Sequence, residues 1–378
     1  MLLSTLHAVL SLLALSSSCH AAPLARKTLA SPPAEKVKMA ERALDGTKAT
    51  AWIPVDKVRG VNLGGLFIAE PLGCTGYDDE WTCNEANGLD VMQPRWEKHW
   101  STFYSMRDFN LMKRFGLNTV RIPLGYWSVD ALVGSKDYFA KGKMKYVKQV
   151  VKWAKQAAVP YAKFFTAHNY NRAYEALKNW TIAAHTDPDF STGNPSHPGH
   201  VTRVFYPGAQ QAIRAAEASL GVSCSGSNAS CLTIQFMDDW WGSGHPSSYI
   251  DTSDRVAYDD HNYAQWIVPE SQRTREGYLR YVCTNSRPTD MYPLITGEWS
   301  LSTIGGGELD EGSEGSTQFF KDFFAASVVA AEKGAGQIFW SWKTELQSNL
   351  WGYYDGVRAG YIPARMQNVN TSACDPYL

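Results

Sequence analysis

The 378-residue sequence lacks a charge of one sign: 36 Lys and Arg offset 37 Asp and Glu, and no long basic run breaks the balance. Proteins that grip a phosphate backbone carry a basic footprint, so no nucleic-acid partner is expected. Long apolar runs are missing after the first fifteen residues, so no membrane-spanning helix is expected in the body of the chain. Cys-x-x-Cys and His-x-x-x-His spacings are absent, so no metal site is expected, and no Gly-x-Gly-x-x-Gly follows a first strand to hold a dinucleotide. The expected cofactor set is therefore empty. Charged residues are sparse at 19%, whereas 44% of residues are hydrophobic, enough to bury a sizeable core. Aromatics reach 13%, with 14 Trp and 19 Tyr. Such an excess suits sugar-stacking surfaces or an aromatic-rich core, and composition does not choose between them.

The N-terminus runs from Met1 through a Leu/Ala-rich stretch to small residues ending at Ala21-Ala22, which reads as a signal peptide over 1–22. Its charged n-region is weak, with only His7 before the apolar run. Residues 23–50 are rich in Ala, Pro and Lys without apolar periodicity and read as an N-terminal extension, followed by one domain over 51–378. Six of the seven cysteines lie beyond the signal, an even number that suits an oxidising compartment. Cys74 and Cys83, and Cys224 and Cys231, are close enough in sequence to pair, but six cysteines allow 15 pairings and the connectivity stays open. Asn179, Asn228 and Asn370 open glycosylation sequons. A secreted, extracellular, monomeric glycoprotein is the expectation.

From Val58 to about Ala364, short apolar runs alternate with amphipathic helices. Thr119-Val-Arg-Ile-Pro123 reads as a strand with a Pro stop, and Val147, Val150, Val151 and Ala154 mark one helix face before Pro160. A helix over Pro207–Leu220 precedes a strand over Leu232–Met237. Pro293–Glu298 reads as a buried strand, Thr317–Lys333 as a helix stopped by Gly334, and Gln337–Trp342 as the last strand. This alternation predicts a parallel sheet, and in a chain of this length a (β/α)8 barrel is the leading closed form, with an open doubly wound sheet as competitor.

In a barrel, polar groups at the C-terminal strand ends face the substrate. Arg121, the run Asp259-Asp260-His261-Asn262-Tyr263, Glu298, and Trp340 and Trp342 with Lys343 and Glu345 all fall at such ends. Each has a plainer reading. A strand-end Glu is often solvated, a lone Arg often pairs in the core, His261 could sit satisfied between aspartates, and the tryptophans could plug the barrel. Their joint occurrence in an aromatic-rich chain raises the chemical reading.

Val58-Arg-Gly-Val-Asn-Leu-Gly-Gly-Leu-Phe-Ile-Ala-Glu-Pro71, Asp79-Glu-Trp81, Gly116-Leu-Asn-Thr-Val-Arg-Ile-Pro-Leu-Gly-Tyr-Trp127 and Thr296-Gly-Glu-Trp-Ser-Leu301 resemble the fungal β-glucanases of glycoside hydrolase family 5. Ile213–Leu220, Gln235–Gly244, Ala257–Tyr263 and Ile338–Lys343 extend the resemblance, closest to members that cleave β-1,6-glucan. The resemblance implies a retaining glycosidase with two carboxyl groups roughly 5–5.5 Å apart. It implies that Glu298 is the nucleophile, that Arg121 pairs with it, that His261 and Tyr263 position substrate and nucleophile, and that Trp342 is the sugar-stacking platform. The implied partner is a β-glucan polysaccharide.

Two parts of the family pattern are missing: a strand ending in Asp-Leu-His-Gly-Ala-Pro-Gly, and one ending in the Asn-Glu-Pro that carries the acid/base. The chain passes from Ala158 to a helix-like segment over 164–180 and then a polar, proline-rich stretch before Val204. The acid/base is therefore unassigned. Glu175, Asp187 and Asp189 are the only carboxylates between 160 and 203, and none occupies a strand end. The strands expected between 159 and 204 are missing, which predicts an incomplete or distorted barrel. The functional expectation is hydrolysis of β-1,6-glucan. The alternatives are a catalytically inactive glucan-binding relative and an exo-β-1,3-glucosidase.

Overall fold

The computed structural model describes residues 56–157, 202–203, 206–224, 231–237, 246–285 and 293–378, apart from 69, 71–73, 75, 78 and 346. The signal and extension, Asn179, Asn228, Glu175, Asp187, Asp189 and nearly all of 159–204 lie outside the described residues. Six strands, β1 Val58–Asn62, β2 Thr119–Arg121, β3 Ile234–Met237, β4 Val256–His261, β5 Leu294–Glu298 and β6 Gly336–Phe339, form one sheet in the order β2-β1-β6-β5-β4-β3. Every neighbouring pair is parallel. The first strand pairs with the last, which is how a (β/α)8 barrel closes on itself. Among the described residues the sheet is open between β2 and β3, so the barrel is incomplete, as the sequence pattern predicts.

The helices are α1 Glu80–Asn87, α2 Leu89–Thr102, α3 Met106–Arg114, α4 Lys143–Ala157, α5 Tyr206–Ser219, α6 Ala264–Ile267, α7 Arg275–Thr284, α8 Ser316–Ala331 and α9 Tyr353–Arg358. Their ends follow local chemistry. Asp79 caps α1 by accepting from the Thr82 N–H, Thr274 caps α7 through Gly277, and Ser105 with Asp108 forms a capping box on α3. Their buried faces follow the helical period: Met92, Trp96 and Trp100 on α2, and Phe319, Phe320, Phe323 and Phe324 on α8. The aromatic excess therefore builds much of the core. Lys143 at the start of α4 is fully buried and pairs with Glu80 on α1 at 2.8 Å, its ammonium above the rings of Trp100 and Trp127.

Disulfides join Cys74 to Cys83, Cys224 to Cys231 and Cys283 to Cys374, the last tying α7 to the C-terminal segment. No helix among the described residues is long and apolar enough to cross a membrane.

Candidate active site

The last residues of β1, β2, β4 and β5 are Asn62, Arg121, His261 and Glu298. Register sets Asn62 beside Arg121 and His261 beside Glu298. The sheet thus delivers four polar side chains to one end of the barrel, although their strands are far apart in sequence. Glu298 is only 4% exposed, and its two oxygens are held separately. Oε1 accepts from the Arg121 guanidinium at 2.5 Å. Oε2 accepts from the Tyr263 hydroxyl at 2.9 Å and lies 3.3 Å from His261 Nδ1.

Buried charge is tolerated where it is paired and hydrogen-bonded. Here the compensation is a network. Arg121 also donates to Asn62 Oδ1 at 2.8 Å and stands 3.6 Å from Asp259, which in turn lies 3.4 Å from His261 Nε2. The Asn62 amide donates to the carbonyls of Gly297 (2.9 Å) and Phe339 (3.2 Å), clamping the ends of β5 and β6. Gly297 admits the Asp259 carboxylate against β5; a Cβ there would collide with Asp259 Oδ1. Burial, then the Glu298 charge, pushes the Tyr263 phenol well above its ordinary value, so it stays a neutral donor.

Arg121, His261, Tyr263 and Glu298 therefore meet around one carboxylate, whereas Trp342 does not join them. It is fully buried, its indole N–H donates to Asp108 at 2.9 Å, and Phe115, Tyr353 and Tyr354 wall its ring at centroid distances of 5.9, 6.1 and 5.7 Å. A sugar has no face of this ring to stack on, so the platform role is corrected: Trp342 is a core pillar. Trp340 is only partly buried and donates its indole N–H to Glu70. The period of two that would place Trp340 and Trp342 on one face breaks down because β6 ends at Phe339.

Sequence reasoning also passed over Glu70. Burial and then the Glu298 charge push its carboxyl up to about 7. Glu345 is likewise pushed up to about 7, by burial and then by Glu70, and lies 3.7 Å from His99 Nδ1. The signal for Glu70 was its place at the end of the Val58–Pro71 motif, but it lies in a loop with no periodicity to point it inward. Asn370 is exposed. Among the described residues, the grouping with metal-ligand spacing is Glu217, Cys224 and Cys231, and both of its sulfurs are spent in a disulfide.

A buried, hydrogen-bonded carboxylate at the C-terminal end of a barrel can serve as a nucleophile toward an electrophilic carbon. The chain is 32% identical over 366 residues to glucan endo-1,6-beta-glucosidase B of Emericella nidulans, covering 84% of this chain and 88% of the relative. It is 31% identical over 395 residues to the probable glucan endo-1,6-beta-glucosidase B of Aspergillus terreus, covering 87% and 96%. Among solved structures, rutinosidase from Aspergillus niger superposes with a TM-score of 0.53 at 16% identity, over 82% of this chain and 99% of that one, a likeness of fold. No family model matches the chain.

Proposed function

The chain belongs to the family of the fungal glucan endo-1,6-beta-glucosidases B, and from that membership we propose an exported enzyme that cleaves β-1,6-linked glucan with retention, Glu298 acting as nucleophile. The observation that carries the reading is the Glu298 carboxylate itself, gripped on one oxygen by Arg121 and on the other by Tyr263. Attack on the anomeric carbon forms a glycosyl–Glu298 ester as the glycosidic C–O bond breaks, the departing oxygen taking a proton from solvent; water then attacks the anomeric carbon, frees the Glu298 carboxylate, returns a proton to solvent and releases the sugar with its original configuration. Arg121 and Tyr263 fix the direction of the attacking lone pair, so that little orientation remains to be lost at the transition state. His261, held between Asp259 and Glu298, stands beside the same oxygen that accepts from Tyr263.

Protonation of the departing sugar oxygen contributes roughly 10²–10⁴-fold in such reactions. The sequence has no Asn-Glu-Pro to supply that proton. This one observation favours a second reading, glucan binding with little turnover. Release of reducing ends from linear β-1,6-glucan separates the two. Release abolished by Glu298→Gln supports hydrolysis; retention of the polymer without release supports the binding form. If glucose is the sole product and only a β-1,3-linked glucan serves as substrate, the linkage assignment falls.

A further inference from the structure

The sequon Asn370-Thr371-Ser372 takes no part in the chemistry around Glu298, and all three of its residues are exposed. The Asn370 side chain is nonetheless set in place. Its Oδ1 accepts from the Ser372 N–H at 3.1 Å, and its carbonyl accepts from the Ala373 N–H at 3.3 Å. Such an Asx turn ties the amide oxygen to the backbone two residues on, and the amide nitrogen is left as the outward end. The turn is anchored on both sides. Upstream, the Val369 N–H donates to the Met366 carbonyl at 3.2 Å, and the Met366 N–H to the Phe115 carbonyl at 2.8 Å. Downstream, buried Cys374 is bridged to Cys283, whose carbonyl accepts from Lys333 at 3.3 Å. Phe115 lies just ahead of β2 and Lys333 just ahead of β6, so both anchors are at the end of the barrel where strands begin. Arg121 and Glu298 close β2 and β5 at the other end of the same parallel sheet. The sequon therefore sits on the face turned away from the attacking carboxylate.

We infer that Asn370 is the acceptor of an N-linked glycan, carried on the face of the barrel opposite Glu298. This rests on the reading of the chain as exported, since the donor for the reaction is met on the export route. The co-reactant is an oligosaccharide joined through pyrophosphate to a lipid carrier. The Asn370 Nδ2 forms a bond to C1 of the first sugar as the C1–O bond to phosphate breaks. The lipid pyrophosphate leaves with the electron pair, and Nδ2 gives up one proton. A glycan is bulky and solvated, so it is accommodated where its acceptor faces open water, and an exposed turn held by its own backbone meets that condition. On this face the added sugars leave the strand ends around Glu298 clear for the polysaccharide.

The test is expression of the full chain in a yeast that glycosylates its secreted proteins. Chain recovered from the medium is treated with an N-glycan amidase in heavy-oxygen water and mapped by peptide mass spectrometry. The amidase converts a glycan-bearing asparagine to aspartate and leaves the heavy label there, which separates Asn370 from the sequons at Asn179 and Asn228. The expected result is labelled aspartate at position 370. The label disappears in Ser372→Ala, which removes the sequon hydroxyl, and persists in Thr371→Ala, which alters the unrestricted middle position. Asn370→Gln, still secreted, runs ahead of the parent by the mass of one glycan, and the two coincide after amidase treatment. Secreted chain with an unlabelled asparagine at 370 overturns the site while leaving the export reading intact. A label that survives Ser372→Ala also overturns it, because the conversion is then spontaneous deamidation. If the chain never reaches the medium or the export route, the export reading falls and takes the site with it.

Discussion

Replacing Arg121 by Met tests whether the cluster at the strand ends is a true charge-compensated network. The guanidinium lies 2.5 Å from Glu298 and 3.6 Å from Asp259, with all three side chains almost fully buried. Two unit charges about 4 Å apart at an effective dielectric near 20 attract by roughly 4 kcal/mol. Breaking a buried pair by removing one partner costs about 3–5 kcal/mol, because the other charge is left uncompensated. At roughly 2–3 °C per kcal/mol for a large domain, Arg121→Met lowers the melting temperature by about 6–15 °C. A double-mutant cycle with Glu298→Gln isolates the pair. Removing the stranded carboxylate restores part of the loss, so the two substitutions together cost less than their sum. Circular dichroism melts of the four proteins supply the numbers. A melting temperature for Arg121→Met within about 2 °C of wild type, or costs that simply add, would refute the argument that Arg121 sustains the buried carboxylate.

Three further outcomes follow from the same geometry. Tyr263→Phe removes a hydrogen bond to a charged oxygen, worth about 1.5–3 kcal/mol, and turnover on an activated aryl β-glucoside drops roughly ten- to a hundredfold while the fold persists. Glu70 and Glu345 are pushed up to about 7 in the folded chain, above the ordinary glutamate range, so the folded state holds their protons more tightly than the unfolded one. Their contribution to stability is full at acidic pH and is lost as the pH climbs through 7. Melting temperatures therefore fall from pH 5 to pH 8, and Glu345→Gln flattens that fall in a pH series of thermal scans. The Cys283–Cys374 bridge closes a sequence separation of 91, and Cys374→Ser destabilises by roughly 4–5 kcal/mol on the loop-closure account, read from urea midpoints.

The strand ends were the most legible part of the sequence. Arg121, His261 and Glu298 each end a strand, and a parallel barrel brings such termini to one rim. The elements agree with their sequence patterns to within about three residues, because period and punctuation are local properties. What failed was extrapolation past the end of an element. Alternation placed Trp342 beside Trp340, but the strand stops at Phe339 and the chain turns Trp342 into the core. Glu70 sits in a loop, and what marks it is the hydrogen bond from Trp340 and the charge of Glu298, both far away in sequence, which no local pattern encodes. Asn62 was hidden for a different reason. An amide within an apolar strand reads as ordinary core, and its role appears only when the carbonyls of two distant strands are seen around it.

That amide has a wider consequence. One side chain on β1 receives the arginine from β2 and donates to the last turns of β5 and β6. Neither an acid nor an aliphatic side chain can do both. The placement of the Glu298 carboxylate is thus set largely by strand-end residues of the inner scaffold, with Tyr263 the hydrogen-bond partner that lies just beyond a strand. Loops outside the strand ends can accordingly be varied while the residues on β1, β2 and β4 still hold the Glu298 carboxylate, a practical starting point for redesign.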